Sequence, residues 1–285
     1  MTNISHNLVG KIDRKTVAIL SDIDQSTEKL KIPFFIVGAF ARDILLQHAY
    51  GIYTPRATMD IDFSIFITDW DQFDGLITVL LGTGKFHPTK QTQRLLYENE
   101  YPVDIVPFGG IAKEDGSISW PPEHAIEMNI AGFQECFKHA ISIQMRSNPD
   151  VIVKVVNLAG LAILKIIAWE DDMERRSKDA ADLFCIIKNY IEAGNMERFF
   201  EEEGDILKME ESDYDRASAH FLGRDMAKLA EPRTKATLIQ ILKRQANSSH
   251  GHKIAMDVLK QDVFQEITYE KITAYFVALL RGLID

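Results

Sequence analysis

Apolar positions open the chain at helical spacing. Val17, Leu20, Ile23 and Leu30 recur with Asp22, Asp24 and Glu28 between them, which predicts a leading helix within residues 9–30. Phe34-Phe35-Ile36-Val37 is then an unbroken apolar run between Pro33 and Gly38, the pattern of a buried strand. A tight glycine turn follows, with a helix from Ala39 to about His48 and a loop over 50–55. Residues 60–67 predict a second strand, and Thr68-Asp69 supplies an N-cap for a helix over 70–81 that Gly82-Thr83-Gly84 ends. Strands are predicted at 94–97 and 103–106, joined around Asn99-Glu100-Tyr101-Pro102, with Pro107 and Gly109-Gly110 ending the second. A further strand is predicted at 140–145.

Pro149-Asp150 marks a change of texture. Beyond it, amphipathic helices are predicted over 157–170, 178–193, 196–203, 213–229, 235–246, 254–260 and 269–283, with 246–252 as a loop. The pattern predicts an α+β fold, a sheet with flanking helices over 1–148 followed by an all-helical domain over 149–285.

Composition narrows the class. The chain is 46% hydrophobic and 26% charged, as a soluble globular protein is. Its longest apolar run, 151–168, carries Lys154, Asn157 and Lys165, so no membrane span is expected. Residues 1–11 are polar and lack an apolar signal core, which points to the cytoplasm. Two cysteines, Cys136 and Cys185, are too few for a disulfide framework and read as buried free thiols. A net charge of -10 argues against a long nucleic-acid track, although a local basic patch could still serve a tRNA.

Candidate chemistry gathers at a few residues. Gly38 lets the backbone turn and lets a ligand approach where a Cβ would obstruct it, and the amides that follow could face an anion. Asp60 and Asp62 stand at i and i+2, so on a strand they share one face while Ile61 and Phe63 take the other. Two such acids repel one another unless a cation sits between them; the plainer alternative is a solvated strand edge. Asp104 lies among Val103, Ile105 and Val106 and must face away from the core, either toward the first two acids or as an ordinary hairpin acid. Arg42 could reach a phosphate or pair with Asp43. Lys165, amid Leu161, Leu164 and Ala168, must snorkel outward or meet a charge. Asp179 and Asp182 share a helix face, where they could orient Lys165 or serve as first-turn acids. The histidines His220, His250 and His252 lack ligand spacing with acids, Gly82-Thr83-Gly84-Lys85 lacks Walker spacing, Asn247-Ser248-Ser249 matches a glycosylation pattern a cytoplasmic chain would not use, and Glu201-Glu202-Glu203 reads as a solvated helix end.

Taken in order, Gly38-Ala39, Asp60-Ile61-Asp62 and Val103-Asp104-Ile105-Val106 resemble the strand, glycine turn, acid pair and third acid of the DNA polymerase beta-like nucleotidyltransferase superfamily. Gly-Ala replaces that family's commoner Gly-Gly or Gly-Ser, so a serine contact is lost while the amides remain. Arg42-Asp43, Thr58, Lys165 and Lys178-Asp179-Ala180-Ala181-Asp182-Leu183 look most like the AbiEii-like, type IV toxin branch. The resemblance implies a nucleotidyltransferase-type mixed sheet and a catalytic domain ahead of the helical one. It implies Asp60, Asp62 and Asp104 as catalytic residues and ligands of Mg2+ or Mn2+. It also implies Gly38, Ala39, Arg42, Thr58, Lys165, Asp179 and Asp182 as nucleotide-binding residues, with Lys165 reaching the phosphates across a cleft. The substrates would be an NTP and an acceptor hydroxyl on a tRNA, a protein or a small molecule, and an antitoxin is a candidate partner. The alternative is a catalytically degenerate module that binds a nucleotide or a partner without turnover.

Overall fold

β-Branched and aromatic runs concentrate in the first part of the chain, and there they build a sheet. The computed structural model describes residues 4–54, 56, 58–246, 252–261, 264 and 267–285. Most of the predicted loop at 246–252, with Asn247-Ser248-Ser249 and His250, lies outside the described residues. The chain divides into two compact units, one comprising Met1–Ile44 and Ala57–Asn157, the other Leu45–Arg56 and Leu158–Asp285.

The first unit runs β1 (Ile4–Asn7), α1 (Arg14–Leu30), β2 (Phe34–Val37), α2 (Gly38–Asp43), β3 (Ile61–Ile67), α3 (Trp70–Gly82), β4 (Phe86–Pro88), β5 (Arg94–Tyr97) and β6 (Tyr101–Gly109). It continues with β7 (Ser117–Ser119), β8 (Glu127–Asn129), α4 (Phe133–Lys138), β9 (Ile141–Ser147) and β10 (Asp150–Val155). Eight strands form one mixed sheet in the order β1-β9-β10-β2-β3-β6-β5-β4, while β7 and β8 pair separately. The central pair, β3 and β6, is parallel, and β2 runs antiparallel to β3. Alternation fixes the faces: Ile61, Phe63, Val103 and Ile105 are buried. Asp13 and Asp69 cap α1 and α3, accepting from the amides of Thr16 and Gln72 at 2.9 and 3.0 Å.

Several boundaries differ from those the sequence pattern predicts. The leading helix starts at Arg14, and an unpredicted edge strand, β1, precedes it. The helix after the glycine turn is α-helical only to Asp43 and continues as a π-helical turn, Ile44–Ala49. The turn between β5 and β6 is centred on Glu98 and Asn99, whose φ values are 51° and 60°; Tyr101 and Pro102 already belong to β6. Pro107 sits within β6 rather than ending it. β5 pairs with β6 only as far as Asp104, so the proline falls where one side of the strand has lost that neighbour. β10, read from sequence as part of the helical texture, is a sheet strand that pairs with both β9 and β2.

The second unit holds α5 (Leu158–Asp171), α6 (Ser177–Asn189), α7 (Met196–Glu202), α8 (Asp205–Met209), α9 (Tyr214–Leu229), α10 (Pro232–Ala246), α11 (Lys253–Lys260) and α12 (Tyr269–Ile284). Among these only α8 is wholly unpredicted. α10 starts three residues earlier than expected because proline suits a first helical position. α5 is buried on nearly every side. No helix among the described residues is long and apolar enough to cross a membrane.

Candidate active site

The strand, the turn and the acids converge in the first unit because of register. Val37, the last residue of β2, lies opposite Asp62 of β3, so Gly38 leaves the strand beside that carboxylate. Its φ of +70° is a conformation L side chains rarely adopt, and a Cβ built there would stand 2.1 Å from Asp62 Oδ2. Glycine is therefore required twice over, by dihedral angle and by space. Ala39 follows in the first turn of α2, whose start has no side-chain cap. Across the parallel β3–β6 pair, Asp62 lies directly opposite Asp104. Asp60 stands one residue before β3, its side chain 40% exposed against 17% for Asp104.

A residue that the sequence reasoning passed over ties these acids together. Arg94, the first residue of β5, donates from Nε to Asp104 Oδ1 at 2.6 Å and from Nη2 to Asp104 Oδ2 at 2.5 Å. The same Nη2 donates to Asp60 Oδ2 at 3.0 Å. The Asp104 hydrogen bonds hold the guanidinium well above its ordinary pKa against the opposing effect of burial, and the charges of Asp104, Asp60 and Asp62 add to the rise. The signal was present in the hairpin. A turn that pairs Tyr97 with Tyr101 necessarily sets Arg94 opposite Asp104. Among the described residues, no group of three or more histidine, cysteine or acidic side chains is placed to form a ready metal site.

Arg42 is only 1% exposed, and its Nε and Nη2 donate to Asp43 Oδ1 at 2.8 and 2.6 Å. Asp43 Oδ2 in turn accepts from the backbone amide of Thr58 at 3.3 Å. This clasp joins the end of α2 to the segment leading into Asp60, and Thr58 contributes to it through its main chain.

In the second unit, Lys165 of α5 meets both predicted acids of α6. Its Nζ donates to Asp179 Oδ1 at 2.5 Å and to Asp182 Oδ2 at 2.8 Å. Burial lowers the ammonium pKa, but Asp179 and Asp182 outweigh that effect and raise it above the ordinary lysine value. Arg56, also unpredicted, donates from Nη2 to both oxygens of Asp182 at 3.1 Å. Arg176 lies 3.6 Å from Asp179.

Comparison with known proteins places the chain in a family. The model of the family described as nucleotidyl transferase AbiEii toxin, type IV TA system, matches residues 22–281. Similar solved structures include the antibiotic-resistance factor ANT(2'')-Ia, at 13% identity over 70% of this chain and 98% of that chain, with a TM-score of 0.36. An antigenic nucleotidyltransferase-like protein from Paracoccidioides brasiliensis matches at 18% identity over 67% and 89% of the two chains, with a TM-score of 0.38. The Thermotoga maritima CCA-adding enzyme complexed with tRNA matches at 14% identity over 97% and 82%, with a TM-score of 0.27. No curated protein matches the sequence. The assignment rests on the family model, which spans most of the chain: this protein belongs to the AbiEii nucleotidyl transferase toxin family of type IV toxin-antitoxin systems and is a transferase.

Proposed function

We propose that this chain is a Mg2+- or Mn2+-dependent enzyme that moves a nucleoside monophosphate from an NTP to an acceptor hydroxyl and releases pyrophosphate. The acceptor is a tRNA, a protein or a small molecule, the site of action is the cytoplasm, and an antitoxin is the expected partner of a toxin of this kind. One observation carries the proposal: Asp62 and Asp104 lie opposite one another on parallel strands beside the glycine turn, with Asp60 joined to Asp104 through Arg94.

The donor chemistry fits a divalent ion. Carboxylate oxygens are the hard ligands Mg2+ prefers, and Asp60 and Asp104 already hold one cationic group in common. Asp60, Asp62 and Asp104 would hold the ion, which when bound neutralises phosphate charge and polarises the α-phosphorus. In this account the amides of Gly38 and Ala39 bind the triphosphate, which can approach because residue 38 has no side chain. Asp104 accepts the proton of the attacking hydroxyl. The Arg42–Asp43–Thr58 clasp holds the turn against the strand entrance. Lys165, kept ionised by Asp179 and Asp182, belongs with them to the nucleotide-binding set.

A second possibility, binding without turnover, is favoured by one observation: Arg94 engages both oxygens of Asp104. Incubation of the purified protein with each α-32P-labelled NTP and a cell extract separates the two. Label transferred to an acceptor, and lost on chelation of divalent ions, supports the enzyme. NTP binding with no transfer to any acceptor overturns it.

A further inference from the structure

We propose that Arg94 competes with divalent cations for Asp60 and Asp104, so that the ion loads together with a nucleotide rather than before it. This inference rests on the carboxylates being the cation ligands of the function proposed above. Both oxygens of Asp104 and Oδ2 of Asp60 accept from the Arg94 guanidinium, and these are oxygens a cation would need. An oxygen saturated by a charge-assisted hydrogen bond is a poorer cation ligand, and a fixed positive charge among the acids repels a second one. The charges of Asp60, Asp62 and Asp104 all act on Arg94, so the guanidinium serves as counter-ion to the whole set.

The same residue has a way out. Arg94 opens a four-residue strand and its side chain is 31% exposed. A phosphate matches the planar guanidinium fork as well as a carboxylate does and carries more charge. An incoming triphosphate thus offers Arg94 an alternative partner at the moment it brings its own divalent ion. Arg94 is a positioning residue in this scheme: it holds Asp60 and Asp104 together and releases their oxygens on nucleotide arrival.

The test is Mn2+ affinity, by calorimetry without any nucleotide, for the wild type, Arg94→Gln and Arg94→Lys. Removing the competitor should tighten Mn2+ binding by about tenfold in Arg94→Gln, the worth of a charge-assisted contact. Arg94→Lys keeps a cation that cannot fork across two carboxylates and should fall between. It also stands in if the glutamine variant does not fold. Mn2+ should raise the melting temperature of Arg94→Gln more than that of the wild type. A merely structural arginine gives the opposite result, because the acids lose their order and bind Mn2+ no better. Equal or weaker Mn2+ affinity in both variants overturns the inference; where the wild type still transfers label, the proposed function survives that failure. An absence of Mn2+ binding in all three proteins, with or without NTP, overturns both.

Discussion

Gly38→Ala is the sharpest perturbation of the site, because two independent costs can be worked from its surroundings. A non-glycine residue forced into left-handed backbone costs about 1–2 kcal/mol. The added methyl also meets Asp62, at 2.1 Å from Oδ2, 2.6 Å from Cγ and 2.7 Å from Cβ. Because the Cβ is involved, a change of rotamer alone does not relieve the overlap, and the β2–β3 pair must give. Overpacking of that kind costs about 1–3 kcal/mol more, for a total of about 2–5 kcal/mol. Gly84 is the matched control, with φ +71° and nothing within 4 Å of an added Cβ, so Gly84→Ala carries the dihedral cost alone. Urea unfolding of the two variants isolates the crowding as their difference. Transfer from labelled NTP should fall in Gly38→Ala and persist in Gly84→Ala, since only the first displaces Asp62. Equal stability losses together with unimpaired transfer by Gly38→Ala would refute the claim that this close approach builds the site.

Two further outcomes concern single side chains. Asp104→Asn should retain NTP affinity while transfer slows by about 10²–10⁴-fold, the usual worth of a positioned general base; calorimetry beside rate measurements decides it, and an unchanged rate removes Asp104 from the chemistry. Lys165→Met leaves Asp179 and Asp182 buried without their ammonium and should cost about 3–5 kcal/mol by urea unfolding. Because folding raises the Lys165 pKa, its contribution to stability is complete below about pH 10.4, the unfolded value, and declines as pH rises toward the folded one. The wild type and Lys165→Met should therefore converge in strongly alkaline titration, and a constant gap between them would contradict the assigned ion pairs.

Much of the fold was legible where hydrophobic period and punctuation agreed. Phe34-Phe35-Ile36-Val37 between proline and glycine, and Asp69 ahead of Trp70, mark element ends through local chemistry alone. β1 was not legible, because Ile4-Ser5-His6-Asn7 is a polar edge whose pairing with β9 is supplied by residues more than 130 positions away. β10 alternates buried Val151, Val153 and Val155 as a strand should, but Asn148-Pro149 ahead of it and the apolar α5 behind it mask that period. At the site, the i, i+2 spacing named Asp60 and Asp62, and an acid among apolar strand residues named Asp104. That these acids need a cation was also legible. That the chain brings its own, in Arg94, follows only once the β5–β6 register is counted out from the turn. The pairing of Arg42 with Asp43 was one of the two readings its sequence context offered, but its burial was not legible, since no spacing rule conveys burial.

Nucleotidyl transfer should depend on Asp60 and Asp62, set between the glycine turn and Asp104. The most direct measurement compares the wild type with Asp60→Asn/Asp62→Asn in transfer of label from α-32P NTP, with circular dichroism to establish that both are folded. The wild type should transfer label, and the folded double variant should transfer none above background. Transfer at the wild-type rate by that variant would contradict this dependence.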